Sequence, residues 1–450
     1  MIRLTALEQR AVFGLAAIMG ARMSGMFIIL PVFTLYASHL PNVTSLQVGL
    51  VIGIYGLTQA LLQIPFGLLS DYVGRKPVIT AGLLIFAAGS IVAAQATTIE
   101  GIIVGRALQG AGAIASTIMA MAADLTREEH RTRAMAILGV TIGMSFMASM
   151  FLGPLLHRWL EVQQLFWFTA ALALLGLLVL HLWVPTPMRT SFHSDAEPAL
   201  SQFGLILRDT QLLRLNFGVF ALHAQLTSLF LVMPVLLREN AGIDPANHGF
   251  VYLPILFLAM LAMVPLIIFG EKHHHMKSAL IIGISLLLAT MAGLMLEYTH
   301  AIPLLLLLFL FFLAFNLLEA LMPSLISKIA PARAKGTAMG AFSTSQFMGA
   351  FFGGTFGGWV HHHYGLAYLF AFGSALTLVW LLLTLTMRDP PHWTTFLLHV
   401  ENEQHAITLN AALKTQPGVL SVDIILVEKT AYLKVDPNTV DWEALQNLQG

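Results

Sequence analysis

The chain has 450 residues, 57% of them hydrophobic and 10% charged, with a mean hydropathy of +0.79. Soluble domains are about 45–50% apolar and about 25% charged, so this is the composition of a polytopic membrane protein. Acidic and basic residues balance at 23 each, so nothing points to a nucleic-acid partner, and the lack of cysteine excludes disulfides and thiolate metal sites.

Arg3 and Arg10 precede a long apolar run with no small-residue cleavage site after it, which reads as an uncleaved first span. A bilayer core of ~30 Å requires about 20 apolar residues per helix. Windows of that size predict twelve spans, near 11–37, 46–70, 77–96, 99–123, 132–157, 164–184, 211–237, 248–270, 278–297, 302–328, 335–360 and 364–387. Several hold proline (Pro31, Pro65, Pro154, Pro234, Pro265, Pro323), which membrane helices tolerate better than soluble ones. Basic residues fall on alternate connections. Arg75 and Lys76 follow the second span, and Arg127, Arg131 and Arg133 the fourth. Arg189, Arg208 and Arg214 follow the sixth, Lys272 and Lys277 the eighth, Lys328, Arg333 and Lys335 the tenth, and Arg388 the twelfth. The intervening connections hold Arg158 and Arg238 alone. The positive-inside rule then puts both termini in the cytoplasm.

Two halves repeat. Pro65 and Asp71 recur as Pro265 and Glu271, offset by 200, and "AMAILG" from Ala134 aligns with "AMGAFS" from Ala338, which sets Gly153 against Gly357. Two six-helix bundles, residues 1–184 and 211–388, are therefore expected in parallel repetition, joined by a cytoplasmic linker at 185–210 with Pro185, Pro187, Ser191, Ser194 and Pro198. After Pro390 and Pro391 the strand-like runs "FLLHVE", "VLSVDIILVE" and "AYLKVD" alternate with the helical runs "NEQHAITLNAALKTQ" and "VDWEALQNL". That β-α-β-β-α order predicts a small α+β, ferredoxin-like domain over 393–450.

The segment "GLLSDYVGRKP" (67–77) resembles the loop signature between the second and third spans of the major facilitator superfamily, through Gly67, Leu69, Asp71, Gly74, Arg75 and Lys76; Tyr72 departs from it. "GRALQGAGAIAS", with Arg106, Gln109 and Gly110, resembles the family's fourth-span arginine motif. "GMSFMASMFLGP" resembles its fifth-span antiporter motif in part, since His157 replaces a glycine. The resemblance spans residues ~10–388. With the appended tail, the chain is similar to the drug/proton antiporters of that superfamily that carry such a domain. It implies an all-α membrane protein of the twelve-helix major facilitator fold, expected as a monomer in a bacterial inner membrane. It also implies a conformational latch, in which Asp71 caps the eleventh span near Gly336 in the outward-facing state while Arg75 bridges to Asp124. An ordinary cytoplasmic turn, holding topology and nothing more, is the alternative.

Ionisable groups inside spans are costly and usually face a cavity or a partner. Glu319 is the acid set clearly within a span, so it is the candidate proton carrier; a fixed ion pair clamping the halves is the alternative. Arg106 is a candidate for proton coupling through the fourth-span motif. Arg22 either contacts the cavity or forms a structural pair, and either arginine could meet Glu319. His223 titrates near neutrality or is simply hydrogen-bonded. Gln59, Gln63, Gln225, Asn316 and Gln346, with Asn216 and Ser343, line a cavity or join helices. Phe27, Phe146, Phe230, Met233 and Phe347 could form an adaptable apolar pocket. The triplets His273–His275 and His361–His363 read as loop residues rather than metal ligands. The tail resembles heavy-metal-associated domains in strand order but lacks their Cys-x-x-Cys. No nucleophile–base pair or phosphate loop points to an enzyme or a cofactor. The expected activity is proton-coupled export of a small, drug-like hydrophobic substrate by alternating access. A proton symporter, a uniporter or a non-transporting sensor using the tail are the alternatives.

Overall fold

The computed structural model describes residues 4–37, 40, 42–187, 202–272, 275–331, 334–389, 394–400, 402–426, 430–436, 439–441 and 444–445. Arg3, Arg189, Arg333, His273, Pro390, Pro391 and the linker residues Ser191, Ser194 and Pro198 lie outside them. The helices are α1 (Ala6–Phe27), α2 (Leu30–Ala37), α3 (Ser45–Val73), α4 (Arg75–Gln95), α5 (Ile99–Ala111), α6 (Ala115–Asp124), α7 (Glu128–His157) and α8 (Val162–Leu182). They continue as α9 (Phe203–Ile206), α10 (Thr210–Glu239), α11 (His248–Lys272), α12 (Met276–Leu296), α13 (Ala301–Ile329), α14 (Lys335–Tyr364) and α15 (Leu366–Leu385).

Among the described residues, eleven segments are long and apolar enough to cross a membrane. Helix α14 supplies the twelfth expected span by its 30-residue length; Gly, Ser, Thr and His dilute its apolar content. The first and fourth spans are each two helices. α1 gives way at Ile28–Ile29 just before Pro31, whose missing N–H and ring disrupt the preceding turn. The fourth span breaks at Gly112–Ile114, between α5 and α6.

Helices α1–α8 pack on one another, α10–α15 do likewise, and the two groups meet along α3 with α14, α7 with α11, and α2 with α10. The sequence repeat has a packing counterpart. A Cβ at Gly153 would lie 2.6 Å from the Ile28 carbonyl, and one at Gly357 2.6 Å from the Ser228 hydroxyl. Each glycine thus lets its span press on the first span of its own group, at Ile28 and Ser228, which are again 200 apart.

Helix starts follow local chemistry. Thr5 and Glu8 form a reciprocal cap on α1, as Thr44 and Gln47 do on α3. Glu8 does more than cap. Its buried carboxylate also accepts from the Arg127 backbone N–H and Nε, both at 3.0 Å, so the start of α1 is tied to the start of α7. Glu8→Ala strands those donors and is expected to destabilise the protein by about 2 kcal/mol, read as a lower midpoint of thermal unfolding in detergent.

The tail is a small α+β unit. Strands β1 (Thr394–His399), β2 (Val419–Ile425) and β3 (Thr430–Val435) form an antiparallel sheet ordered β1-β3-β2, with α16 (Glu403–Lys414) between β1 and β2. The expected β-α-β-β run is present; most of the second predicted helix, from "VDWEALQNL", lies outside the described residues. Leu398, Leu409, Leu413, Ala431 and Leu433 form its separate core. Lys434 Nζ donates to the Ala330 carbonyl at the end of α13, 3.2 Å away.

Candidate substrate cavity and charged clusters

A cavity of about 160 Å³ lies between the two helix groups. One wall carries Met23, Met26, Tyr55, Gln63, Arg106 and Ser116; the facing wall carries His223, Thr227, Gly336, Met339, Ser343, Gln346 and Phe347. Most of this lining is apolar, with few polar groups, as in small-molecule sites.

Beyond the cavity, at the end away from Arg75, the groups are sealed. Built Cβ atoms at Gly53, Gly56 and Gly358 would come within 2.8 Å of the Phe351 carbonyl, 2.5 Å of the Phe347 carbonyl and 2.6 Å of the Ser45 carbonyl. One at Gly354 would lie 2.5 Å from the Gly49 carbonyl. Backbone therefore meets backbone along α3 and α14. Arg158 adds hydrogen bonds to the Ala246 carbonyl and to Asn247 at 2.9 and 2.7 Å. Phe146 stacks or edges against Phe27, Phe230, Phe312 and Phe315 with centroids 5.1–6.4 Å apart, an aromatic layer joining both groups. At the other end the seam stops at Gln63, which donates to Thr344 at 2.8 Å. Past it, Ile64 and Gly336 both border the cavity.

Glu319, which stands outside the cavity lining, meets His223 and Gln346 of the second wall. The Gln346 amide donates to Glu319 Oε1 at 3.2 Å and to His223 Nε2 at 2.8 Å. His223 Nδ1 lies 3.2 Å from the Val219 carbonyl. A carbonyl only accepts, so the ring proton sits on Nδ1 and the imidazole is neutral. Glu319 Oε2 has no hydrogen-bond partner among the described residues and lies 3.8 Å from His223 Nε2. The cation near Glu319 is therefore a latent one, His223, rather than the arginine considered from sequence.

The arginines sit on the opposite wall. Arg22 and Arg106 are each 1% exposed. Arg22 Nη2 donates to Gln59, and Arg106 donates to the Val51 carbonyl and Gln109. Of the expected cavity residues, Gln63 and Gln346 line it, as do the expected coupling residues Arg106 and His223. Arg22 and Gln59 are buried beside Tyr55. Gln225 is instead an interhelical clamp, donating to the Gly373 carbonyl at 2.6 Å and Thr377 at 2.8 Å; Asn316 is half-buried on α13 and outside the lining. Tyr55 was missed by sequence reasoning. The signal was present: Tyr55, Gln59 and Gln63 recur every four residues, along one face of α3.

The charged turn is built within the first group. Gly74 joins α3 to α4 with φ +100° and ψ 154°, a conformation essentially restricted to glycine. Arg75, 1% exposed at its side chain, pairs with Asp71, donates from Nε to Asp124 at 2.9 Å, and donates to Ser70. Lys76 Nζ donates to the Val184 carbonyl at 2.7 Å, and Gly67 lets α3 approach Ser116. Among the described residues Asp71 pairs with Arg75, and no hydrogen bond or ion pair joins it to α14. Glu271, its counterpart by repeat, is held by Ser324 at 2.8 Å.

Known proteins place this arrangement. The sequence profile of the Major Facilitator Superfamily matches residues 15–347 and, in a second match, 272–427. The chain is 43% identical over 439 residues, 96% of both chains, to the inner membrane transport protein YajR of Escherichia coli. It is 28% identical over 353 residues to the multidrug resistance protein MdtH of Aeromonas hydrophila, covering 75% of this chain and 84% of that one. Its fold superposes on the nucleoside transporter NupG with a TM-score of 0.67 at 15% identity, over 84% of this chain and 99% of that one. With its two packed helix groups, the cavity between them and these likenesses, the chain belongs to the Major Facilitator Superfamily, as a multi-pass membrane transporter.

Proposed function

We propose that the protein is a proton-coupled exporter of small molecules in the inner membrane, with both termini cytoplasmic, working by alternating access. The observation that carries this is the contact of Glu319 with Gln346 and His223 of the cavity wall. A carboxylate with one free oxygen faces a neutral imidazole across a shared amide. A proton arriving at His223 Nε2 removes the acceptor that Gln346 now uses and creates a cation 3.8 Å from Glu319. Protonation thereby repacks the wall of the cavity. The resemblance to MdtH, named for multidrug resistance, favours export over uptake.

With basic connections inside, the sealed end is the outer one and the cavity opens toward the cytoplasm. The Asp71–Arg75–Asp124 cluster then acts in the other state. Arg75 holds Asp71 at the inner end of α3, ready to cap α14 when the inner ends close. Asp71→Ala is expected to lower transport at least about tenfold, and Glu271→Ala less than about threefold, because Glu271 has Ser324 rather than a buried arginine network behind it. Equal losses in a vesicle uptake assay would reduce the turn to topology alone.

Proteoliposomes with a pH-sensitive dye test the main reading: adding an exported compound should move protons opposite to it. Protons moving with substrate would make the protein a symporter. Absence of both fluxes would leave the tail-dependent sensor.

A further inference from the structure

The cavity wall built by α1, α3 and α5 holds positive charge without a counter-ion. Arg22 and Arg106 are both 1% exposed, and neither has a carboxylate partner among the described residues. Their guanidinium carbons lie 5.8 and 5.0 Å from the centre of the same Tyr55 ring. Arg22 Nε and Nη1 and the Tyr55 hydroxyl have no hydrogen-bond partner among the described residues. One neutral ring offers a cation–π contact to each arginine but cannot neutralise two charges. Desolvated guanidinium groups retain their charge, so burying two side by side is unfavourable unless an anion joins them. Arg106 and Tyr55 both line the cavity, so the anion has a place to stand. Around it lie Met23, Met26, Met339 and Phe347, an adaptable apolar surface.

We propose that the transported substrate is a compact organic anion, its carboxylate or sulfonate seated on the Tyr55–Arg106 wall with Arg22 behind and its apolar body against the methionines and Phe347. This rests on the cavity being the transport site, and it narrows the drug-like hydrophobic class to acids. A volume of about 160 Å³ suits a compact solute better than a diacyl lipid. Charge separation also follows: the anion's site and the Glu319–His223 cluster occupy opposite walls, so substrate and proton need not compete for one group.

The test uses the full chain in detergent, at fixed pH and without a gradient, with three probes of one shape: 1-naphthoate, 1-naphthamide and 1-naphthylmethylammonium. Titration calorimetry should show naphthoate binding at least about tenfold tighter than either analogue. Arg106→Gln should erase that preference while leaving naphthamide affinity unchanged. Should Arg106→Gln fail to fold, Tyr55→Phe should weaken naphthoate several-fold and naphthamide not at all. A naphthoate advantage below about threefold, a preference for the ammonium probe, or no saturable naphthoate binding overturns the proposal. Glu319→Gln should keep the naphthoate preference even as it loses proton movement, which separates this proposal from the coupling scheme.

Discussion

Replacing Glu319 with Gln is expected to lower substrate-driven proton movement at least about tenfold, to near the leak of protein-free vesicles. Substrate exchange across the same membrane, with no gradient, should continue. The amide keeps the size of the side chain and can accept from Gln346 through its carbonyl, as Glu319 Oε1 does now at 3.2 Å. What it lacks is an oxygen that takes up a proton. Glu319 Oε2 has no hydrogen bond among the described residues and is itself buried, although the side chain as a whole is 36% exposed. Proton movement that survived Glu319→Gln would make the residue a fixed member of the wall and shift the coupling to His223. His223→Gln is the companion variant. It keeps a hydrogen-bonding group beside Gln346 and removes the second titrating site. Loss of coupling in both variants fits the relay; loss in His223→Gln alone does not.

The second large effect is steric. Gly354→Leu is expected to cut transport more than about tenfold by holding the outer ends of α3 and α14 apart. A Cβ at this position already lies 2.5 Å from the Gly49 carbonyl and 3.1 Å from the Gly53 Cα. Those neighbours are backbone, which cannot swing aside as a long side chain would, so the helices must separate. The chain has no cysteine, which allows a single reporter. With Ile52→Cys on the cavity lining, an impermeant maleimide added outside should label the Gly354→Leu protein several-fold faster than the parent. Gly143→Leu is the control. It lies in the segment resembling the antiporter motif, yet nothing stands within 4 Å of its built Cβ, so transport should change less than about twofold. Unchanged labelling in Gly354→Leu would show that the seam is not the outer gate.

Much of the architecture was legible because the bilayer imposes coarse rules on a chain. Twenty apolar residues span it, and basic residues mark one side; both can be counted in a string. The weakest apolar signal belonged to α14, for a reason that only packing explains. Its Gly349, Gly353, Gly354, Gly357 and Gly358 press on backbone or short side chains of α3 and α10, so close approach replaced bulk hydrophobicity. The residues of the charged turn were also legible, since Asp71, Gly74 and Arg75 lie within one turn and their contacts are local. Asp124, 49 residues from Arg75, was reached through family resemblance.

The cavity was harder. Gln59, Gln63, Gln225, Asn316 and Gln346 look alike as isolated polar residues in apolar helices, yet Gln63 and Gln346 line the cavity, Gln59 stands behind it, Asn316 lies outside the lining, and Gln225 ties α10 to α15. A helix presents every side of itself in sequence; which side meets another helix is set by the neighbours.

By itself, then, the sequence determined the class of protein, the number of spans, the repeat, the tail and the charged turn. Each follows from composition or from short-range pattern, where the solvent or the local chain dictates the outcome. The tertiary structure decided who faces whom. It set Glu319 beside His223, 96 residues earlier by subtraction of their numbers, and left Arg22 and Arg106 together on the far wall around Tyr55. Burial makes such pairings decisive, because a charge removed from water is governed by its nearest neighbours. Among twelve spans those neighbours are chosen by packing, over separations that no local pattern records.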